Sequence, residues 1–366
     1  MYKYARRFAA LALGPLLLLS CAHDSTPVPP RMLTEATKAQ LETAADSVFS
    51  DLKPPGMIAL ISVEGGADYL IKRGVSNTVT GRPMSEDYYF RIGSNTKTVL
   101  GTAVLILVDE GKIQLDIPIA TYLPEYHIPN GDRITVRMLG NMTSGLFNYT
   151  DDPAFFTPFL GSGYSYAYTT TEILAASLNR PPNFEPGARY EYCNTNIVLL
   201  GLLLEKVTGK SAKQVIEEKV IQPMGLTHTY WPDSGALTEP YTHGYSSSLA
   251  VNTVDATNCN PSWTNTAGIL ISTFADMKIW AKAVAEGTLL SEQTQAERFR
   301  WVDDHYGFCV MKAGTNWFGH AGTIFGYNSH VFYNTEKKMT YIVLVNQDSG
   351  TPVETFSRAF MGILDK

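Results

Sequence analysis

The chain has 366 residues, of which 45% are hydrophobic and 17% charged, and its formal net charge is -6. That length suits one large domain or two, with apolar residues enough for a substantial core. No block of basic residues occurs, so a chain of this charge gains little from counterion release and no nucleic-acid partner is expected.

The N-terminus is a different kind of sequence. Lys3, Arg6 and Arg7 precede the apolar run FAALALGPLLLL, too short to cross a membrane but suited to the core of an export signal. The run ends in LLSC, which resembles a bacterial lipoprotein signal. Residues 1–20 are therefore expected to be removed and Cys21 to be acylated. The stretch SCA also offers small residues for ordinary cleavage after Ala22, but the place of Cys21 directly behind the leucines favours lipidation. Residues 21–32 then read as a polar, proline-containing tether to a membrane, with the protein exported to the cell envelope.

A helix is predicted over Thr34 to Leu52, where Leu41, Ala44, Ala45, Val48, Phe49 and Leu52 share one face. Two strand-like runs follow, GMIALISVEGG and ADYLIKRGVS, turning at Gly65-Gly66 as a hairpin. From Asn95 to about Ala285 the signals are mainly helical. The clear segments are TKTVLGTAVLILVDEG, TTTEILAASLNR, NIVLLGLLLEKVTG and SAKQVIEEKVIQPMG. Strand signals return in YGFCVMK, HVFYN and MTYIVLVNQ, and a last amphipathic helix spans about Pro352 to Leu364.

Strands at both ends with helices between them predict an α+β fold. An antiparallel sheet is built from both chain ends with flanking helices, and a mainly helical region is inserted beside it. The domain is expected over 33–366, with the insertion at about 95–260 and the α/β part at about 33–94 and 261–366. The cleft between the two parts is the natural place for a site.

Cys193, Cys259 and Cys309 remain after Cys21 and allow one disulfide at most. Neither CxxC nor HExxH occurs, so no metal or cofactor is expected. The elbow G-x-S-x-G of α/β-hydrolases is also absent. The pattern S-x-x-K occurs twice. Ser50 and Lys53 stand at the end of the first helix beside KPPG, where the lysine is free in solvent. Ser94 and Lys97, in FRIGSNTKTVLG, stand where a strand should end and an apolar helix begins. A simple helix cap would account for Ser94 alone. Residues three apart on the first turn share a face, however, which brings the Lys97 amine to the Ser94 hydroxyl at the positive end of the helix. The apolar run after Lys97 can lower its pKa by burial.

Two further stretches carry candidates. In YEYCNTN, Tyr192 and Asn194 precede an apolar helix. In WFGHAGTIFGY, His320 lies among glycines that allow close backbone approach to a ligand. A second H-x-G, HYG at His305, follows two aspartates and reads as a solvated turn.

The order S-x-x-K, Y-x-N, H-x-G resembles the penicillin-recognising serine hydrolases. The likeness is greatest to the branch holding class C β-lactamases, serine DD-carboxypeptidases, D-aminopeptidases and esterases. It extends through ILVDEGKIQLD, ITVRMLGNMTSGL, EPGARYEYCNTN and GHAGTIFGY. It implies a β-lactamase/DD-peptidase-like fold and an acyl-enzyme mechanism. Ser94 would attack the substrate carbonyl while Lys97 and Tyr192 share the proton transfers. Asn194 would hold Lys97 and the substrate amide. The N–H groups of Ser94 and Thr323 would form an oxyanion hole, and His320, Gly322 and Thr323 would lie along the substrate.

The substrate so implied is a small molecule or peptide, first the D-Ala-D-Ala end of cell-wall peptide. An ester or D-amino amide comes next, then a β-lactam. A silent binding protein for cell-wall peptides is the rival from another class, and the retention of serine, lysine and tyrosine together argues against it. Departures from the pattern are the H-A-G third motif, the loss of a hydroxyl at Ala321, Asn141-Met142 in GNMTSGL, and Cys193 as an oxidisable thiol beside the site. No arginine stands in YGFCVMKAGTNWFGHAG. His320, Thr323 and Lys312 are thus the candidates to meet a substrate carboxylate, and weak selection for one is expected.

Overall fold

The computed structural model describes residues 32–248, 253–348 and 352–366, so the expected signal and Cys21 lie outside the described residues. Helix α1 (Glu35–Leu52) opens the fold, its first turn capped by Thr34, whose hydroxyl accepts the Thr37 N–H at 3.1 Å. Strands β1 (Gly56–Val63) and β2 (Tyr69–Asn77) form the expected hairpin, and the short β3 (Arg82–Pro83) pairs at its edge. The other strands come from the far end of the chain: β4 (Met311–Ala313), β5 (Trp317–Ile324), β6 (Tyr327–Asn334) and β7 (Met339–Val345). The seven make one antiparallel sheet in the order β3-β2-β1-β7-β6-β5-β4. At its centre β1 pairs β7, Met57 opposite Val345 and Val63 opposite Met339.

Both faces of this sheet are covered, which is why β1 is buried along its whole length. Alternate side chains point to opposite faces. Met57, Ala59 and Ile61 pack with Leu41 of α1 and with Phe356 and Phe360 of the last helix, while Ile58 and Leu60 join the core on the other side. That second core holds α2 (Thr96–Asp109), α3 (Asn194–Thr208) and α4 (Phe274–Glu286). The last helix, α5 (Pro352–Leu364), matches its predicted span. Helix α2 is buried nearly all round, as its apolar run requires of a helix with no solvent face.

Two local expectations change. The stretch WFGHAGTI is a full strand rather than a connection between strands. Its glycines weaken the strand signal, yet close packing requires them. A Cβ on Gly319 would stand 1.9 Å from the Val331 carbonyl oxygen, and one on Gly322 would stand 2.0 Å from that of Ile92. Conversely, YGFCVMK is strand only from Met311. Cys309 has φ 55°, and its side chain lies where a Cβ on Gly101 of α2 would fall.

Gly322→Ala should therefore force β5 off the turn that follows Ile92. The expected cost is about 1–3 kcal/mol, read as a lower urea midpoint with an unchanged slope. An unaltered midpoint would show that the contact has slack.

Candidate active site

Ser94 lies on a single tight turn, Gly93–Asn95, between a two-residue strand (Phe90–Arg91) and α2. The turn is pinned from two sides. Gly93 has φ 52°, and a Cβ there would stand 2.9 Å from the backbone nitrogen of Thr323 on β5. Asn95, buried, donates through Nδ2 to Ser329 Oγ of β6 at 3.0 Å and to the Ile92 carbonyl at 3.1 Å. Ser94 does not cap α2; the N-cap is Asn95, with no side-chain capping bond. Its hydroxyl oxygen accepts instead from Lys97 Nζ at 2.8 Å and from the Tyr192 hydroxyl at 2.9 Å.

Lys97 is wholly buried. Its Nζ also donates to the Ala267 carbonyl at 2.7 Å and lies 4.9 Å from the centroid of the Tyr192 ring. No carboxylate pairs with it among the described residues, and burial brings its pKa down to about 7. Burial has the opposite effect on the Tyr192 phenol, whose pKa is pushed far up. The Ala267 carbonyl is aimed by a strained backbone. Asn265 sits at φ 45°, ψ -141°, a region that costs a non-glycine residue about 1–3 kcal/mol. Its Oδ1 accepts the Thr266 N–H at 2.7 Å, and the Thr266 hydroxyl donates to the Ile197 carbonyl of α3 at 2.9 Å.

The start of α3 is laced to the loop before residue 152. Asn148 Oδ1 accepts the Asn194 N–H at 3.0 Å, and the Thr195 hydroxyl donates to the Phe147 carbonyl at 2.8 Å. Asn194 faces the cleft but donates through Nδ2 to Thr150 Oγ1 at 3.1 Å. The second acceptor for Lys97 is thus a backbone carbonyl, and the expected Asn194–Lys97 bond is replaced. The Cys193 thiol stands beside the site as expected, near enough to act on Lys97 and Tyr192, but it is buried, donates to the Leu146 carbonyl at 3.4 Å, and has its pKa raised by burial to about 11. Cys193, Cys259 and Cys309 are all free.

On β5, His320 lines the cleft and is 2% exposed. Its Nδ1 donates to the Ala321 carbonyl at 2.5 Å, which leaves Nε2 to accept the Tyr306 hydroxyl at 3.0 Å. Burial and the nearby Lys97 bring its pKa down to about 3, so it is a neutral polar group. Tyr306 was not singled out in the sequence, although HYG contains it. In that motif the tyrosine, not His305, is buried against the site. Lys312 is taken by Asp304 at 2.6 Å, and so is spent on a surface pair. Ser50 and Lys53 are exposed at the end of α1.

Two arms of the cleft meet at Ser94, Thr150, Asn194 and Thr323. One, of about 230 Å³, is walled by Tyr149, Phe156, Trp263 and Phe325. The other, of about 440 Å³, is lined by Asn148, Asp151, Tyr190, Tyr192, Met311 and His320. Neither is lined by lysine or arginine, so a buried basic group behind the serine is the only amine close to the reacting position among the described residues.

A family model described as Beta-lactamase matches residues 45–363. Among solved structures, a D-stereospecific amidohydrolase from Streptomyces sp. is 31% identical with a TM-score of 0.79, covering 88% of this chain and 98% of that one. A D-amino acid amidase from Ochrobactrum anthropi SV3 is 23% identical with a TM-score of 0.78, covering 90% and 98%, a likeness of fold. Esterase EstB of Burkholderia gladioli is 29% identical over 202 residues, 51% of this chain, and the match spans 50% of that relative's own length.

The amine of Lys97 can accept a proton from Ser94 only when uncharged. The acylation rate, as kcat/KM, should therefore rise with pH through a midpoint near 7 and then level off. Lys97→Arg, which stays protonated, should lose about 10²–10⁴-fold. A pH–rate profile flat from about pH 5 to about pH 9 would exclude Lys97 as the acceptor.

Proposed function

Because the chain belongs to the β-lactamase family of serine hydrolases, we propose that it hydrolyses an amide or ester of a D-amino acid through an acyl-enzyme. The observation that carries this reading is the convergence of Lys97 Nζ and the Tyr192 hydroxyl on Ser94 Oγ, at 2.8 and 2.9 Å. The D configuration rests on the likeness to the amidohydrolase and the amidase.

In the proposed sequence Ser94 Oγ attacks the substrate carbonyl carbon and its proton passes to the neutral Lys97 amine, which keeps its bond to Ala267. Charge gathers on the former carbonyl oxygen. The N–H groups of Ser94 and Thr323 are the donors for it, supported by the close approach of the Thr323 nitrogen to Gly93. Tyr192, kept protonated by burial, passes a proton to the departing amine or alcohol, and Lys97 restores it. Water then attacks the acyl-serine and the proton transfers run in reverse. Asn194 and Thr150, which line both arms, would bind the acyl group's polar atoms.

A carboxypeptidase must also seat a free carboxylate, and burying that charge unpaired is costly. Lys312 is engaged elsewhere and His320 is neutral, which favours amides and esters over a D-Ala-D-Ala end. For location, the run LLSC supports lipid attachment at Cys21.

Ser94→Ala should abolish turnover and covalent labelling by a fluorescent penicillin, whereas Ser50→Ala should leave both intact. Full labelling of the Ser94→Ala protein in intact-mass spectra would sink the nucleophile. In a second comparison, kcat/KM for a D-Ala-D-Ala peptide should not exceed that for its C-terminal amide or for a D-aminoacyl p-nitrophenyl ester. A preference for the free acid above about a hundredfold, roughly 2.7 kcal/mol, would restore the carboxypeptidase reading. Cys21→Ser should abolish lipid attachment and release the chain from membranes, and membrane association unchanged by that substitution would rule the anchor out.

A further inference from the structure

The two arms of the cleft differ in charge as well as in shape. Asp151 is the sole carboxylate lining the larger arm. It is held in place rather than swinging free. Its Oδ1 accepts Asn148 Nδ2 at 2.9 Å, and Asn148 in turn accepts the N–H of Asn194. The neighbouring acids each have a cationic partner, Asp152 in Arg180 at 2.5 Å and Glu191 in Arg189 at 2.9 Å. Asp151 makes no ion pair among the described residues, and partial burial and the nearby Glu191 raise its pKa, as fits a carboxylate with no cation to compensate it.

The smaller arm is aromatic. Phe156 meets Trp263 edge to face with centroids 5.3 Å apart, and Phe325 lies 5.0 Å from Trp263. The Tyr149 hydroxyl fixes the Trp263 backbone by donating to its carbonyl at 2.8 Å. An apolar cavity of roughly 150 Å³ accepts benzene, so a volume of about 230 Å³ has room for a benzyl or indolyl group.

We propose that Asp151 receives the α-ammonium group of the substrate while the aromatic arm takes its side chain. The preferred acyl donor is then the amide or ester of an aromatic amino acid with an unblocked amine. An amino acid carries both groups on the carbon next to the reacting carbonyl, and the two arms open from one junction beside Ser94. The inference rests on the acyl-enzyme reading above. Asp151 is exposed at the cleft, and a charge-assisted hydrogen bond to it rewards the free amine, whereas acylating that amine leaves Asp151 facing a neutral amide.

The test compares the p-nitrophenyl ester of D-phenylalanine with its N-acetyl counterpart and with the D-alanine ester, using the wild-type protein. N-acetylation should lower kcat/KM about tenfold or more, and this ratio should shrink as salt screens the charge. In Asp151→Asn the same ratio should fall to about threefold or less. Trp263→Ala should reduce the preference for phenylalanine over alanine. A ratio between free and acetylated esters that is unchanged in Asp151→Asn and insensitive to salt would overturn the assignment while leaving the acyl-enzyme intact. Failure of the wild type to turn over any of the three esters would overturn both.

Discussion

A primary amine enclosed on every side, with no carboxylate to balance it among the described residues, is the constraint around which this molecule is organised. Lys97 lies inside the core that α2, α3 and α4 share, and its Nζ meets an oxygen from the serine, one from the backbone and the face of Tyr192, all of them neutral. A carboxylate partner would hold the amine in its charged form and remove its use as a proton acceptor. Neutral acceptors leave burial to dominate. The surroundings are correspondingly elaborate. Gly93 and Gly322 let β5 lie against the turn, Asn265 accepts an unfavourable backbone to aim Ala267, and the loop before residue 152 fastens the start of α3. Each device fixes an atom around one nitrogen.

The sequence made the architecture legible where periodicity was strong. The terminal helices, the β1–β2 hairpin, α2 and α3 all carry runs whose spacing matches their buried faces. It misled where a tertiary contact overrode local preference. The glycines of WFGHAGTI look like breaks in a strand, yet they exist because another backbone passes within van der Waals reach. Cys309 ends what looks like a strand by adopting a positive φ under α2.

Of the residues the three short motifs supplied, Ser94, Tyr192, Asn194, His320 and Thr323 line one cleft, Lys97 is buried behind the serine, and Gly322 packs against the Ile92 carbonyl. Partnerships were harder to read than positions. Nothing local indicates that Lys97 bonds to Ala267, 170 residues away, or that Lys312 is consumed by Asp304. Tyr306 escaped notice because its buried role depends on His320, a contact that no sequence period encodes. The aromatic wall is scattered over Phe156, Trp263 and Phe325 and becomes a surface only after folding.

The central strand pair has a consequence for how the chain acquires its structure. Residues 57 and 345 stand opposite each other, so the middle of the sheet cannot close until residue 345 has been made. Loop-closure entropy for such a pairing is met late, which places the fold among high-contact-order topologies that assemble slowly. During synthesis the β1–β2 hairpin must wait, with apolar side chains of β1 uncovered, for strands that follow the whole helical region. The same arrangement makes the finished domain closed to trimming. Loss of either terminal segment uncovers the centre of the sheet rather than its edge, so the two ends of the chain guard one another's strands.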